Sequence, residues 1–421
     1  MTPRSALAAP AAISDSDGYL DSHGKSDRAA PRPRPLLRAW KALHACNAYE
    51  PISSVVEAQS SSGMLPDVVT PYGPPVPGVG SLLQVWKSVR NWRRMLLESP
   101  AAASCEIVHA HCFPAGMAAV RKFPAVVYEL EQFIEDQCGH PARAGRRRSA
   151  RILKAAERFV LSRSAAVVVR TQSVRQELLR RGAAAEHIFV IPRPLPTAEI
   201  EGARILPLCR YESRDDAFGV FSTLNVGRSW QAWLGELLAA ARAARLKIPK
   251  LALHVEIDES LRREASRLVS QFGPEFDVRL VDKLAAAQAM SACSLVVAGA
   301  ALQPGVTPVE NALALAALRE AKPLLAADLV CNRDVSANGS GCIWFAAGDV
   351  ADLGRRIVFL ASDTAFRNAL VASGNLYWRQ TRAPARIAEQ YDAVYWHAFV
   401  RGRAGKWHTP TVSWQPSHAA I

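Results

Sequence analysis

The segment 296–348 constrains this chain more than any other. It begins Val296-Val297-Ala298-Gly299, then Gln303-Pro304-Gly305-Val306-Thr307-Pro308, then thirteen residues of helical composition from Val309, and then Lys322-Pro323-Leu324-Leu325-Ala326-Ala327. A short apolar run closed by glycine is what a buried parallel strand leaves in a sequence. Thr307-Pro308 predicts an N-cap followed by proline at the first helical position. Glu310 then falls in the first turn, where a carboxylate is favoured and free N–H groups can hold an anion. The second apolar run, 324–327, completes a strand–helix–strand unit. Such units bind ligands outside the carboxyl ends of their strands, which marks 303–311 as the candidate site.

Similar alternation runs through the rest of the chain. Residues 36–45 carry Leu37, Trp40 and Leu43 at helical spacing, 52–57 has strand character, and 71–80 is a Pro/Gly loop. Over 82–97, Leu82, Val85, Val89, Trp92 and Leu96 fall on one helical face, with Lys87, Arg90, Arg93 and Arg94 largely on the other. The run 106–111 ends as a strand at His109-Ala110-His111, whose histidines point to one face. Strand 125–129 follows. Residues 139–151 form a basic loop around Arg146-Arg147-Arg148, read either as a solvated helix start or as a patch for anionic lipid headgroups. Helix 152–164, strand 166–169, a helix from Gln172 capped by Ser173 and ended by Gly182, and strand 188–191 complete the first half. Pro192, Pro194 and Pro196 stiffen a linker. The second half adds strand 217–224, a turn at 227–230, helix 234–244, strand 251–257, helix 261–272, strand 278–281 and helix 284–293. A last helix, 382–398, carries Ile387, Tyr391, Val394 and Tyr395 on one side.

At 421 residues the chain has room for two domains and tails. No apolar run approaches the roughly 20 residues of a membrane span, and the N-terminus has no signal-peptide core. Eight singly spaced cysteines suit a reducing compartment and neither a disulfide frame nor a zinc site. These features predict a cytoplasmic protein. The net charge of +13 points to acidic partners or, equally, to faces that are simply solvated.

Gly305, Glu310 and Pro323 stand in the order found in the nucleotide-sugar-binding region of family 4 glycosyltransferases. Gly341, Gly348-Asp349, Leu353 and Leu360-Ala361-Ser362-Asp363 resemble that family's closing pattern. The segment 106–111 resembles its "V-H-x-H" strand end, and 157–192 is similar to the close of its first domain. The resemblance implies a GT-B fold: two Rossmann-like α/β domains facing across a cleft. It divides the chain into a disordered tail 1–35, an acceptor-side domain 36–192 and a nucleotide-sugar-binding domain 193–385. A terminal helix 386–402 packs back on the first domain, and a tail 403–421 follows.

By the same resemblance, the chain moves a sugar from a nucleotide diphosphate donor to a glycan, lipid-linked or small-molecule acceptor, with retention and without a metal. His111 would face the sugar, a strand histidine being otherwise a packing residue. Glu310 would bond the ribose, Thr223 and Arg228 would stand at the two phosphate-cation places, and Gly305, Val306, Thr307 and Asn311 would line the donor. Contact with the inner face of an anionic membrane is compatible with the charge; nucleic acid is not expected. Four departures accompany the resemblance. Thr223 replaces an arginine, Leu302 stands where the first Glu of an E-x7-E pair would be, the helix from Glu310 to Pro323 is more than a turn longer than the family's, and no Gly-rich first strand precedes Leu36. They leave open a diverged GT-B protein that binds a nucleotide or a partner glycosyltransferase without turnover, or a basic interaction protein.

Overall fold

The computed structural model describes residues 40–45, 59, 65–69, 82–134, 144–193, 217–224, 230–273, 276–299, 311–336 and 339–404. All of these lie in the compact unit 37–421. They form two separate six-stranded parallel sheets.

The first sheet contains β1 (Lys41–Ala45), β2 (Leu65–Val69), β3 (Ile107–Ala110), β4 (Val126–Leu130), β5 (Ala166–Val169) and β6 (Ile188–Val190), in the order β2-β1-β3-β4-β5-β6. Its helices are α1 (Leu82–Glu98), α2 (Pro100–Ser104), α3 (Phe113–Ala119), α4 (Ala144–Arg163) and α5 (Gln172–Arg180). The second sheet contains β7 (Phe218–Thr223), β8 (Leu251–Glu256), β9 (Asp277–Val281), β10 (Leu295–Ala298), β11 (Leu324–Ala327) and β12 (Cys342–Phe345), in the order β12-β11-β10-β7-β8-β9. Around it lie α6 (Trp230–Arg245), α7 (Arg262–Ser270), α8 (Lys283–Ala292), α9 (Ala312–Arg319), α10 (Val330–Arg333), α11 (Val350–Ser362) and α12 (Thr364–Thr381). The final helix, α13 (Pro384–Arg403), packs on β3, β4 and β5 of the first sheet.

Strand alternation assigns each residue of the first sheet to a side. Val126, Tyr128 and Leu130 join the core beneath α1, α3, α4 and α5. Ala42, Ile107, Val127 and Val168 join the core covered by Ile387, Tyr391, Val394, Tyr395 and Ala398 of α13. Both faces of the sheet are therefore covered, as an all-parallel sheet requires. Strand order reverses between β1 and β3 in the first sheet and between β7 and β10 in the second. Those two reversals, at the carboxyl ends, are where an α/β fold offers a ligand crevice.

Several expectations change here. Residues 41–45 form a strand and not part of a helix: β1 pairs with both β2 and β3, and four of its five residues are buried. A strand covered on both faces shows no alternation, so the Trp40/Leu43 spacing imitated a helix. It is the first strand among the described residues. The basic segment around Arg146 belongs to α4, which starts at Ala144, and is not loop; 139–143 lie outside the described residues. Thr171, not Ser173, caps α5 by accepting from the Val174 N–H. Asn311, not Thr307, caps α9 through bonds from Leu313 and Ala314. Helix α6 begins at Trp230, inside the expected turn. Strand β2, α2 and the long α12 carried no sequence prediction. The expected strand at 52–57, the loop at 71–80 and the tails 1–35 and 405–421 lie outside the described residues.

Candidate functional site

On the α13 side of the first sheet, each of four neighbouring strands exchanges its apolar residues for a polar one at the carboxyl end. Ala42 gives way to His44, Ile107 to His109 and then His111, Val127 to Glu129, and Val168 to Arg170. The parallel register sets His44 beside His109, and the His111 N–H bonds the Ala45 carbonyl at 3.0 Å. All five side chains are buried, none more than 8% exposed.

Burial of so many polar groups is tolerable only if they satisfy one another. Arg170 pairs with Glu129 Oε1. Tyr391 donates to Glu129 Oε2 at 3.0 Å, with His111 Nδ1 at 3.2 Å and His109 Nε2 at 3.3 Å from the same oxygen. The Tyr395 hydroxyl lies 2.9 Å from His109 Nδ1 and accepts from Gln59 Nε2 at 2.9 Å. Gln59 Oε1 is 2.8 Å from His44 Nε2, and His44 Nδ1 is 2.9 Å from His111 Nε2. With the amide so placed, Tyr395 donates to His109, whose proton then sits on Nε2 toward Glu129. His44 donates to Gln59 and accepts from His111, which therefore faces an acceptor at each nitrogen. Helix α13 thus completes the cluster through two tyrosines one turn apart.

The electrostatics agree with this arrangement. Burial raises the Glu129 carboxyl, but Arg170 and then His111 outweigh it, and bonds from the His109 and His111 rings add to them. Glu129 is held well below the usual carboxylate range. Burial, then His111, pushes His109 down to about 3. Burial, then His109 and His111, pushes His44 well below its ordinary value. Both rings stay neutral while the unfolded chain protonates near pH 6.5. Stability is therefore full above about pH 6.5 and falls as pH drops toward the folded values, by about 1.4 kcal/mol per pH unit for each ring. Urea titrations between pH 7 and 4 should show this decline, and His109→Asn should make the slope shallower by about that amount. Stability independent of pH over the range would contradict the assignment.

His44, His109 and His111 also form a group that could hold a metal ion, with one ligand atom from each within 4.8 Å of the others. Four of their six ring nitrogens are hydrogen-bonded within the protein; the other two, His111 Nδ1 and His109 Nε2, lie 3.2 and 3.3 Å from Glu129 Oε2, the latter without hydrogen-bond geometry. The set fits a hydrogen-bonded network better than an ion cage.

At the reversal in the second sheet, the Ser222 hydroxyl ties β7 to β10 by donating to Val297 O at 2.8 Å. Thr223, partly buried, ends β7. Asn311 uses its whole amide on the protein. Its Nδ2 donates to Gly299 O at 3.0 Å and to Asn332 Oδ1 at 2.8 Å, and its Oδ1 accepts the two cap bonds. Asn332 in turn donates to Ala327 O at 2.8 Å. The start of α9 is thereby pinned to the ends of β10 and β11. Arg228, Gly305, Val306, Thr307 and Glu310 lie outside the described residues. Ser173, shortly after β5, bonds Asp334, shortly after β11. Arg382 also donates to the Asp334 carbonyl at 3.5 Å.

Residues 34–199 match the family model for Glycosyltransferase Family 4. That match spans the whole of the first sheet. The chain as a whole has the GT-B fold. Anabaena Alr3699/HepE in complex with UDP and glucose aligns at a TM-score of 0.57 and 16% identity, over 84% of this chain and 98% of its own. Sucrose-phosphate synthase from Thermosynechococcus elongatus aligns at 0.60 and 16% identity, over 85% and 99%. A glycosyltransferase from Rickettsia africae aligns at 0.60 and 10% identity, over 86% and 98%. No curated protein matches in sequence.

Sequence reasoning reached His111 in this matched segment but missed His44, Gln59, Glu129, Arg170 and the polar role of Tyr391 and Tyr395. A signal was present: Glu129 and Arg170 each end an apolar strand run on the same side as His109.

Proposed function

We propose that this protein is a retaining glycosyltransferase that takes a sugar from a nucleoside diphosphate donor. The observation that carries the reading is the place of His111: the carboxyl end of β3, at the strand-order reversal of the segment that matches family 4, fixed by Glu129 and His44. Catalysis in such a site is mainly positioning and stabilisation of charge on the departing diphosphate. His111 orients the transferred sugar. Arg228 holds phosphate, and backbone N–H groups of Gly305, Val306 and Thr307 share that load. Glu310 accepts from the ribose hydroxyls. Thr223 lines the same edge, and Asn311 acts indirectly by holding the start of α9. No metal is given a role, and the acceptor is a glycan, a lipid-linked carrier or a small molecule. HepE, crystallised with UDP and glucose, makes uridine diphosphate sugars the first donors to try.

The test is release of nucleoside diphosphate from a panel of nucleotide sugars, with and without candidate acceptors. His111→Asn should lower turnover at least about tenfold while leaving nucleotide affinity unchanged, as loss of a group acting mainly in the transition state does. A variant as active as wild type would remove His111 from the mechanism. The absence of a carboxylate at Leu302 and of an arginine at Thr223 favours a second reading, a diverged protein that binds the nucleotide without turnover. That reading gains if binding is tight and no donor is consumed.

A further inference from the structure

Helix α1 is buried on one side by Val85, Val89, Trp92 and Leu96, which lock it to the first domain's core. Its opposite side is unusual. Leu83 is 65% exposed, Leu97 56% and Trp86 37%. Lys87, Arg90, Arg93 and Arg94 are exposed among them, and none has a hydrogen bond or ion pair among the described residues. At 3.6 residues per turn, all seven fall within an arc of roughly 120°. The one acidic residue of the helix, Glu98, is its last.

We propose that this face of α1 docks on an anionic lipid bilayer. Charge complementarity alone would suit any polyanion, but two leucines and a tryptophan interleaved with the cations suit only a surface with an apolar layer beneath its charges. Tryptophan settles at headgroup level, leucine reaches the acyl boundary, and lysine and arginine stems let their charges remain with the lipid phosphates. A nucleic acid backbone offers nothing to Leu83 or Leu97. The inner face is already packed, so the helix presents a rigid, preformed stripe and needs no folding on contact. No helix among the described residues is long and apolar enough to cross a membrane, so this contact is peripheral. It does not depend on the sugar-transfer reading, because binding is measured without substrate.

The experiment is co-sedimentation of the full chain with vesicles of phosphatidylcholine alone and of phosphatidylcholine mixed with phosphatidylglycerol, alongside duplex DNA. One variant combines Lys87→Glu, Arg90→Glu and Arg94→Glu; a second combines Leu83→Ser, Trp86→Ser and Leu97→Ser. Circular dichroism melting verifies that both remain folded. The expected result is binding to the anionic mixture only, weakened at least about tenfold by the charge reversals and clearly weakened by the serine set. Four outcomes overturn the proposal: no vesicle binding, equal binding to phosphatidylcholine alone, retention after charge reversal, or a serine variant that binds as wild type. The last would reduce the face to a nonspecific cationic surface, and duplex DNA would then bind comparably.

Discussion

Arg170→Met should destabilise the first domain by about 3–5 kcal/mol, the usual loss when one member of a buried ion pair is removed. Glu129 is 2% exposed, and Arg170 is its one guanidinium partner among the described residues. Without it, the carboxylate keeps Tyr391 and the two histidines, but burial then raises its affinity for a proton. In the wild type, the stability Glu129 contributes is present above the unfolded carboxylate value near 4.5 and is lost as pH falls through the much lower folded value. The variant should therefore fail at higher pH. Urea unfolding followed by a first-domain probe reads both effects. Adding Glu129→Gln to Arg170→Met should recover most of the loss, because an unpaired buried charge costs more than an absent pair. A single variant within about 1 kcal/mol of wild type would mean that Arg170 is merely adjacent to the cluster.

Gly299→Ala should destabilise the second domain. A Cβ there would lie 2.4 Å from the Trp233 ring, which stacks on Phe345 with centroids 6.3 Å apart. Either the indole moves off Phe345 or the end of β10 shifts, and overpacking of this kind costs about 1–3 kcal/mol. The Gly299 carbonyl also receives Asn311, so the shift would reach the start of α9. Thermal unfolding and near-ultraviolet circular dichroism should both change, and Trp233→Leu in the same chain should restore the melting temperature. A fully stable Gly299→Ala would show that Trp233 is free to swing away.

The residues that sequence reasoning read well are those whose pattern survives burial. Val85, Val89, Trp92 and Leu96 repeat at helical spacing because the far side of α1 meets water, and Ile387, Tyr391, Val394 and Tyr395 do so against the first sheet. Strand β1 was misread because water reaches neither of its faces, so the usual alternation is missing. Capping failed by short distances for a similar reason: Thr307 and Asn311 both suit a cap, and only tertiary bonds to Gly299 and Asn332 select Asn311. The histidine cluster was half legible. His109 and His111 lie together in sequence, but Glu129 and its partner Arg170 join them through the parallel register, and Tyr395 through the packing of α13, each from far along the chain.

On the proposed function, the chain binds a nucleoside diphosphate at the carboxyl edge of its second sheet. Titration calorimetry with a nucleoside, its diphosphate and the diphosphate sugar, on wild type and two variants, tests it most directly. Arg228 stands five residues beyond Thr223, and Glu310 immediately precedes Asn311. The account expects Arg228→Ala to weaken the diphosphate, but not the nucleoside, by about 1.5–3 kcal/mol, the value of a charged hydrogen bond. It expects Glu310→Gln to weaken nucleoside and diphosphate about equally, since the ribose is common to both. Wild-type protein that binds no nucleoside diphosphate at millimolar ligand would contradict the account.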